Sequence, residues 1–191
     1  MYKRQGWIES ENNLSQDGLA WVSGDAKVYE SAWVSGSALV RGSAVVSGSA
    51  KVYGSAEVYG SARVGESAEV CGYVEVFGSA LVCGLAMVSG YADVSGYANV
   101  YGSAEVCGSA LVSGNAVLRN YDEVYSCKHL ITIGGFEYRV TVTPVSINIG
   151  CQSFTFDQLD TIEEHEEFDD YSLQLLKYMI ELSIEKIMLS I

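Results

Sequence analysis

The sequence predicts a mainly β protein, in which a solenoid of about six triangular coils precedes a small C-terminal α+β appendage. A six-residue unit, most often Ser-Ala-x-Val-x-Gly, runs from residue 19 to residue 126 without an insertion. Within each unit Ala and Val alternate with variable residues, and glycine usually closes the unit. After residue 126 the repeat ends and the chain changes to short alternating runs and a long apolar segment. A fixed short period of this kind is typical of repeat architectures.

The alternation of Ala and Val predicts short strands that bury one face, because successive side chains of a strand point to opposite sides. Glycine follows two residues after Val, where a tight corner needs a residue that readily adopts positive φ. Strands this short cannot form ordinary hairpins, so three units are expected to close one coil of eighteen residues. Coils stack about 4.8 Å apart, which gives a prism about 29 Å long. Each coil buries its Val and Ala only by stacking on its neighbours.

The repeat resembles the hexapeptide-repeat superfamily, in which an aliphatic residue is followed four positions later by a small one. Here Val28 precedes Ala32 and Val34 precedes Ala38, and the pattern continues over more than half of the chain. This resemblance implies a left-handed parallel β-helix, an exception to the usual right-handed crossover. It also implies assembly into trimers with parallel axes.

The tail contains signals for strands and then for helices. The stretch "HLITIGGFEYRVTVTP" alternates around Gly134-Gly135 and predicts a hairpin, and "VSINIGC" predicts a third strand. Ser153 or Thr155 is expected to cap an acidic helix, and residues 171–191 to form a second helix. The order of these elements, with Gly150-Cys151 and the acidic stretch, looks like small hexapeptide-repeat proteins of phages and prophages, often of unassigned function.

These signals divide the chain into three parts. Residues 1–18 are expected to form an N-terminal cap, residues 19–126 the solenoid, and residues 127–191 a capping and oligomerisation domain. Asp122 stands where the last unit should place its inward Ala, which a continuing dry core would not accept cheaply. The core should therefore end there.

The second helix carries two apolar stripes, which predicts that it is buried on two sides. One stripe is the predicted oligomerisation surface: Leu173, Leu176, Ile180, Ile184 and Ile187. The other contains Leu175, Met179, Leu182 and Leu189. We expect the helix to pack on the small sheet and on a second body, either the open end of the solenoid or another chain.

Composition and charge limit the classes of function. The net charge of −13 disfavours direct nucleic-acid binding, and the acids concentrate in residues 157–170. That segment is expected to be a solvated helix face; mimicry of DNA towards a host protein is the alternative. Five cysteines without a CxxC pair indicate reduced thiols. The sequence shows neither a signal peptide nor a membrane-spanning run, so a cytoplasmic location in a bacterial host cell is expected.

The sequence offers little for catalysis. Acyltransferases on this fold typically use a histidine base, and the trimeric carbonic anhydrases need three histidines on zinc. The two histidines, His129 and His165, both lie outside the repeat. P-loop, GxGxxG, HExxH and EF-hand patterns do not occur. We therefore predict a protein that is not an enzyme and has no catalytic residue, metal or cofactor. An acyltransferase is kept as a remote alternative, to be tested by acetyl-CoA binding.

Taking every third unit gives the outward residues of each prism face. Face one carries Trp21, Leu39, Arg41, Glu57, Tyr59, Glu75, Phe77, Asp93 and Leu111. Face three carries Trp33, Lys51, Tyr53, Glu69, Met87, Glu105, Glu123 and Tyr125. Face two carries Lys27, Tyr29, Val45, Ser47, Arg63, Gly65, Leu81, Cys83, Asn99, Tyr101, Val117 and Arg119. Face two alone has no acid, although acids outnumber bases 24 to 11 in the whole chain.

Face two is the candidate site for a ligand or for a neighbouring chain. Val45, Leu81 and Val117 recur every 36 residues, so they should form an exposed apolar ridge, which marks an interface. The predicted ligand and interface residues are Lys27, Tyr29, Val45, Arg63, Leu81, Tyr97, Asn99, Tyr101, Val117 and Arg119. In a homotrimer, grooves between chains would combine bases for a phosphate with tyrosines for stacking on a nucleobase.

The sequence thus leads to two hypotheses from different classes. The first is a non-enzymatic, phage-type counter-defence protein that sequesters a small anionic, nucleotide-like ligand or blocks a host defence protein. The second is a structural or assembly module, with the solenoid as a rigid spacer and the C-terminal helices as its oligomerisation unit. In the second case, truncation after Ser126 should abolish assembly.

Overall fold

The computed structural model describes residues 6–119, 122–126, 130–133, 140–144, 146–149, 152–161 and 170–189. Within them the repeat forms a mainly β parallel solenoid of about six coils. This confirms the predicted architecture of the repeat. The left-handed sense of the coil stays a prediction of the resemblance.

Three parallel sheets form the faces of the prism in the described residues. Face one contains the strands Trp21–Val22, Leu39–Val40, Glu57–Val58, Glu75–Val76, Asp93–Val94 and Leu111–Val112. Face two contains Trp7–Ile8, Lys27–Val28, Val45–Val46, Arg63–Val64, Leu81–Val82, Asn99–Val100 and Val117–Leu118. Face three contains Leu14–Gly18, Trp33–Gly36, Lys51–Val52, Glu69–Val70, Met87–Val88, Glu105–Ser109 and Glu123–Ser126.

The core is a column of Val and Ala side chains along the axis of the prism. From Ala26 to Ala116 the inward residues are at most 1% exposed. They include Val74, which replaces Ala in the unit Tyr-Val-Glu-Val-Phe-Gly. Each strand of the repeat pairs with the strand eighteen residues away, so an outward residue of the repeat lies directly above its counterpart in the next coil.

The glycine corners behave as the sequence predicts. Gly84, for example, has φ +77°, and a Cβ placed there would lie 2.7 Å from the backbone nitrogen of Gly102. A side chain at such a corner would therefore clash with the coil above as well as strain its own backbone. Two units place glutamate at the same corner, and both Glu30 and Glu66 adopt positive φ, at 60° and 56°.

Residues before the repeat already belong to the sheets. Trp7–Ile8 pairs with Lys27–Val28 on face two, and Leu14–Gly18 pairs with Trp33–Gly36 on face three. A short 3-10 helix, Glu11–Asn13, turns the chain between them, with Ser10 as its N-cap. The buried Asn13 donates hydrogen bonds to the carbonyl oxygens of Glu30 and Ala32, which satisfies the first corner.

Asp122 ends the solenoid through a buried polar cluster. Its carboxylate accepts hydrogen bonds from the backbone N–H of Arg119 at 2.8 Å and from the side-chain amide of Asn148 at 2.8 Å. The hydroxyls of Thr143 and Ser146 donate to its other oxygen. A buried carboxylate is tolerated where donors compensate it in this way. Thr143, Ser146 and Asn148 belong to the appendage, so the cluster also joins the appendage to the last coil.

The appendage is an antiparallel sheet covered by one long helix. The sheet contains Ile131–Ile133, Val140–Val142, Ile147–Ile149 and Gln152–Phe154. A 3-10 helix follows at Phe156–Thr161, and the helix α1 spans Asp170–Met188. Leu176, Ile180 and Ile187 of α1 pack fully buried against Val140, Val142 and Ile147.

The tail differs from its prediction in one strand. The strands flanking Gly134-Gly135 pair antiparallel, as a hairpin requires, although the turn itself lies outside the described residues. The predicted third strand and the predicted second helix are confirmed. A fourth strand contains Ser153, one of the two residues expected to cap a helix, whereas the other, Thr155, directly precedes the 3-10 helix Phe156–Thr161. The rest of the predicted acidic helix, residues 162–169, lies outside the described part. Among the described residues, no helix has the length and apolar character needed to cross a membrane.

Candidate ligand groove on face two

Faces one and three each pair a basic side chain with an acid of their own face. On face one the guanidinium of Arg41 lies 2.7 Å from the carboxylate of Glu57 and 4.1 Å above the ring of Tyr59. On face three the Lys51 ammonium lies 2.7 Å from the carboxylate of Glu69. In each case the acid belongs to the next coil: Glu69 stacks directly on Lys51, whereas Glu57 stacks on Leu39 and meets Arg41 diagonally.

The tyrosines of these two faces are also hydrogen-bonded to acids. The Tyr59 hydroxyl donates to Glu75 at 2.6 Å, and burial together with this bond raises the pKa of Tyr59 to about 12. On face three a hydrogen bond with Cys71, burial and the nearby Glu69 raise the pKa of Tyr53 to about 12. The Lys51 ammonium lowers the pKa of Glu69. These polar groups are therefore occupied within the chain.

Face two arranges its bases differently. Lys27 and Arg63 are both exposed and occupy the same outward column, two coils apart, with Val45 between them. Two coils separate their backbones by about 10 Å. Within the part of the chain that the structure describes, neither side chain has an ion pair or a hydrogen bond to another side chain. Lys27 and Arg63 therefore lie in one column without the acidic partners that Arg41 and Lys51 have.

The second outward column of face two contains a dip. Its residues are Tyr29, Ser47, Gly65, Cys83 and Tyr101, so three small residues lie between two tyrosines. Gly65 does not need positive φ, and a Cβ there would meet only the Ser47 hydroxyl at 3.6 Å, an ordinary contact. No packing requirement excludes a side chain at residue 65. Gly65 therefore leaves open a space that a side chain could have filled.

This dip forms the middle of a groove of about 670 Å³ along face two. The residues that line it are Trp7, Lys27, Tyr29, Val45, Ser47, Arg63, Val64, Gly65, Glu66, Leu81 and Cys83. The volume lies within the range that holds small-molecule ligands. One end is aromatic, since the rings of Trp7 and Tyr29 are 6.3 Å apart and tilted by 50°.

Glu66 adds an acid at the corner that borders the groove. Its positive φ is costly for a residue with a side chain, and such strain tends to occur at functional positions. Glu30 at the equivalent corner has a structural role, because its carboxylate accepts a hydrogen bond from the backbone N–H of Gly48. The Glu66 carboxylate instead lines the groove, where burial and then this negative charge raise the pKa of the Cys83 thiol. The thiol is therefore held in its neutral form.

The structure brings together five of the ten predicted ligand residues, namely Lys27, Tyr29, Val45, Arg63 and Leu81. Asn99 and Tyr101 lie on face two beyond the groove lining, and Tyr97 lies exposed at the adjoining corner.

Val117 and Arg119 require a correction, because they are only 6% and 7% exposed. The appendage covers this end of face two: the hydroxyl of Thr141 accepts a hydrogen bond from the backbone N–H of Val117, and Asn148 donates to its carbonyl oxygen. Val117 therefore does not extend the exposed apolar ridge, and Arg119 does not offer its charge to a ligand on this face.

Six of the eleven lining residues were not among the predicted ligand residues, and two of the six, Trp7 and Glu66, had not been placed on any face or in the core. Trp7 precedes the hexads and lies twenty residues before its partner Lys27 instead of eighteen, so a search by period does not find it. Glu66 occupies a corner position, and the outward residues of each face were listed from strand positions alone. The only sequence signal for it was a glutamate in the place of a corner glycine.

The predicted oligomerisation stripe is used inside the chain. Leu176, Ile180 and Ile187 are fully buried against the appendage's own sheet, and Ile184 is partly buried there. Leu176, Ile180 and Ile187 cannot meet a second chain, because their surfaces are already covered; nothing is described of the Leu173 side chain. The apolar side of α1 that stays open is the other one.

The described residues contain no candidate metal site. Among them, no three His, Cys, Asp or Glu side chains are close enough together to hold a metal ion. His129 and His165 lie outside the described part.

The fold and the groove define the class: a parallel β-solenoid with a concave, mixed-charge site on one face. No protein-family model matches the chain, and no curated protein or solved structure is significantly similar to it. Membership of the hexapeptide-repeat superfamily and a phage origin therefore stay predictions from the repeat and the tail.

Proposed function

We propose that this protein is a non-enzymatic binding protein whose face-two groove holds a small anionic ligand with an aromatic ring, a nucleotide being the chemical class that fits best. The observation that carries the proposal is the contrast in charge pairing. Arg41 and Lys51 are neutralised by acids of the next coil, whereas Lys27 and Arg63 line the groove without an ion pair among the described residues, and the lining acid Glu66 stands at a corner.

Each part of the groove has a counterpart in a nucleotide. The two bases supply charge-assisted hydrogen bonds for phosphate oxygens. Trp7 and Tyr29 offer ring surfaces on which a nucleobase can stack. The Glu66 carboxylate accepts hydrogen bonds from N–H groups, which nucleobases carry on their edges. Phosphate alone would leave the aromatic end and Glu66 unused.

The biological setting follows from the resemblance of the tail to phage and prophage proteins. In that setting the ligand would be a nucleotide signal of the host, and sequestration would serve counter-defence. Blocking a host protein directly is the other form of the same hypothesis. In that form the groove residues would contact a protein side chain, and free nucleotides would not bind.

Calorimetric titration tests the proposal. The full-length protein is titrated with a panel of nucleoside monophosphates, cyclic nucleotides and ADP-ribose, and separately with inorganic phosphate and free nucleosides. We expect a saturable heat for at least one nucleotide and a much weaker response to phosphate or nucleoside alone. If every nucleotide gives no heat, and mass spectrometry under gentle ionisation finds no small molecule co-purified with the protein, the proposal is wrong.

A further inference from the structure

The open side of α1 presents a regular apolar stripe. Leu175, Leu182 and Leu189 follow each other at intervals of seven residues and are 41%, 47% and 82% exposed. Tyr178, 58% exposed, stands three residues after the first leucine. A seven-residue repeat with a further apolar residue three positions on is the spacing by which helices pack into one another's grooves. The further apolar residue occurs once here, because Glu185 stands three residues after Leu182.

This stripe is distinct from the buried side of the helix. Leu176, Ile180 and Ile187 point into the appendage's sheet, so α1 is already held in place by its own chain. A second copy would therefore meet a preformed helix, and it would not have to compensate the cost of helix formation.

The charges beside the stripe select the partner and its direction. Glu181 is exposed along one edge of the stripe, and Lys186, five residues further on, is exposed along the other. When identical helices pack in parallel about a rotation axis, the acidic edge of each copy meets the basic edge of the next. In an antiparallel pair like edges would meet, so Glu181 would face the acidic edge of the partner. Charge complementarity thus favours parallel copies of this same helix.

We infer that the protein self-associates through the α1 stripe of Leu175, Tyr178, Leu182 and Leu189, with α1 helices of identical copies side by side and parallel. The edge pairing works equally in a two-fold and a three-fold arrangement, so the measured mass gives the number of copies. The surface is separate from the face-two groove, and the inference does not depend on what the groove binds.

Sedimentation velocity of the full-length protein over a range of concentrations tests the inference. The wild type should sediment as a multiple of the 20.6 kDa chain. The variant Leu182→Lys should raise the dissociation constant at least tenfold, while its circular dichroism spectrum stays unchanged because residue 182 is exposed. Leu85→Lys is the matched control, since Leu85 is 70% exposed at a solenoid corner away from α1 and its variant should assemble like the wild type.

A charge exchange tests the edges. Glu181→Lys should weaken assembly, and adding Lys186→Glu to that variant should restore it. Cysteine variants then report direction: under mild oxidation Leu189→Cys should cross-link to its own kind in a parallel assembly, and in an antiparallel one only a mixture with Leu175→Cys would. A wild type that is monomeric at every attainable concentration overturns the inference, and so does an assembly that Leu182→Lys leaves intact.

Discussion

Face one and face two of the solenoid share a backbone, a core and a repeat, yet they differ in what they leave open. On face one the acid of the next coil neutralises Arg41, and Tyr59 stacks on Phe77 with ring centroids 5.0 Å apart. On face two Lys27 and Arg63 are separated by Val45, and Gly65 removes the side chain that would have filled the space beside them. The repeat therefore determines the backbone and the core of each face. A few outward residues determine whether the face is covered by its own side chains or leaves a groove open to a ligand.

The largest effect on stability should come from disrupting the apolar core that the two faces share. Val58 lies behind face one and Val64 behind face two, and both are fully buried. Placing an unpaired carboxylate in either position, by Val58→Asp or Val64→Asp, should cost about 3–5 kcal/mol. That is a large part of the stability of a typical domain.

Urea unfolding followed by circular dichroism measures this loss. Leu111→Asp is the control, because Leu111 occupies an outward slot of face one and is exposed. It should change the free energy of unfolding by less than about 1 kcal/mol. Equal losses for inward and outward aspartates would contradict the dry core.

A smaller structural change should make face two resemble face one. Gly65→Tyr places at residue 65 the residue that other units carry in the same slot, such as Tyr53 and Tyr59. The backbone there does not need glycine, so the variant should fold with nearly unchanged stability, and the filled groove should no longer bind nucleotide. Thermal unfolding and calorimetry measure the two quantities.

A corner glycine provides the contrast to Gly65. Gly84→Ala should lose about 1–3 kcal/mol, since Gly84 has φ +77° and meets the backbone of Gly102. A Gly65→Tyr variant that still binds with wild-type affinity would show that the dip on face two is not the binding site.

The smallest effect on stability should come from Tyr59, whose hydroxyl is hydrogen-bonded to Glu75 on face one. The pKa of Tyr59 is raised from 10.0 to about 12, so the folded state keeps its proton where the unfolded chain loses it. The associated stability is fully present below about pH 10 and is lost between about pH 10 and pH 12. Tyr59→Phe should flatten this part of the curve of unfolding free energy against pH. A variant whose curve falls as steeply as that of the wild type would show that Tyr59 does not cause the decline.

The structure could be predicted from the sequence wherever one interaction dominates. Ala and Val at period two and glycine at the corners allow one arrangement, so the core, the corners and the outward columns followed from spacing alone. The sequence was insufficient where two choices have similar energies. Leu176 and Leu182 are equally apolar, and only the sheet formed by Val140 and Val142 determines which side of α1 is buried.

Local signals also missed features that depend on distant partners. Trp7 enters face two because its strand pairs with Lys27–Val28, which no pattern around residue 7 indicates. Val117 and Arg119 follow the repeat, yet the appendage covers them through Thr141 and Asn148. Half of the predicted ligand residues therefore lie outside the groove, although the predicted face is the one that contains it.

One matched pair of variants tests the central claim most directly. The double variant Lys27→Ala/Arg63→Ala removes one lysine and one arginine from face two, and Arg41→Ala/Lys51→Ala removes the same two charges from faces one and three. Both change the net charge equally, so calorimetry with the best-binding nucleotide compares position alone. We expect the face-two variant to lose affinity by about tenfold or more, since a charged hydrogen bond contributes about 1.5–3 kcal/mol, and the other variant to bind like the wild type. Equal affinities for the two variants would contradict the claim that face two binds the ligand.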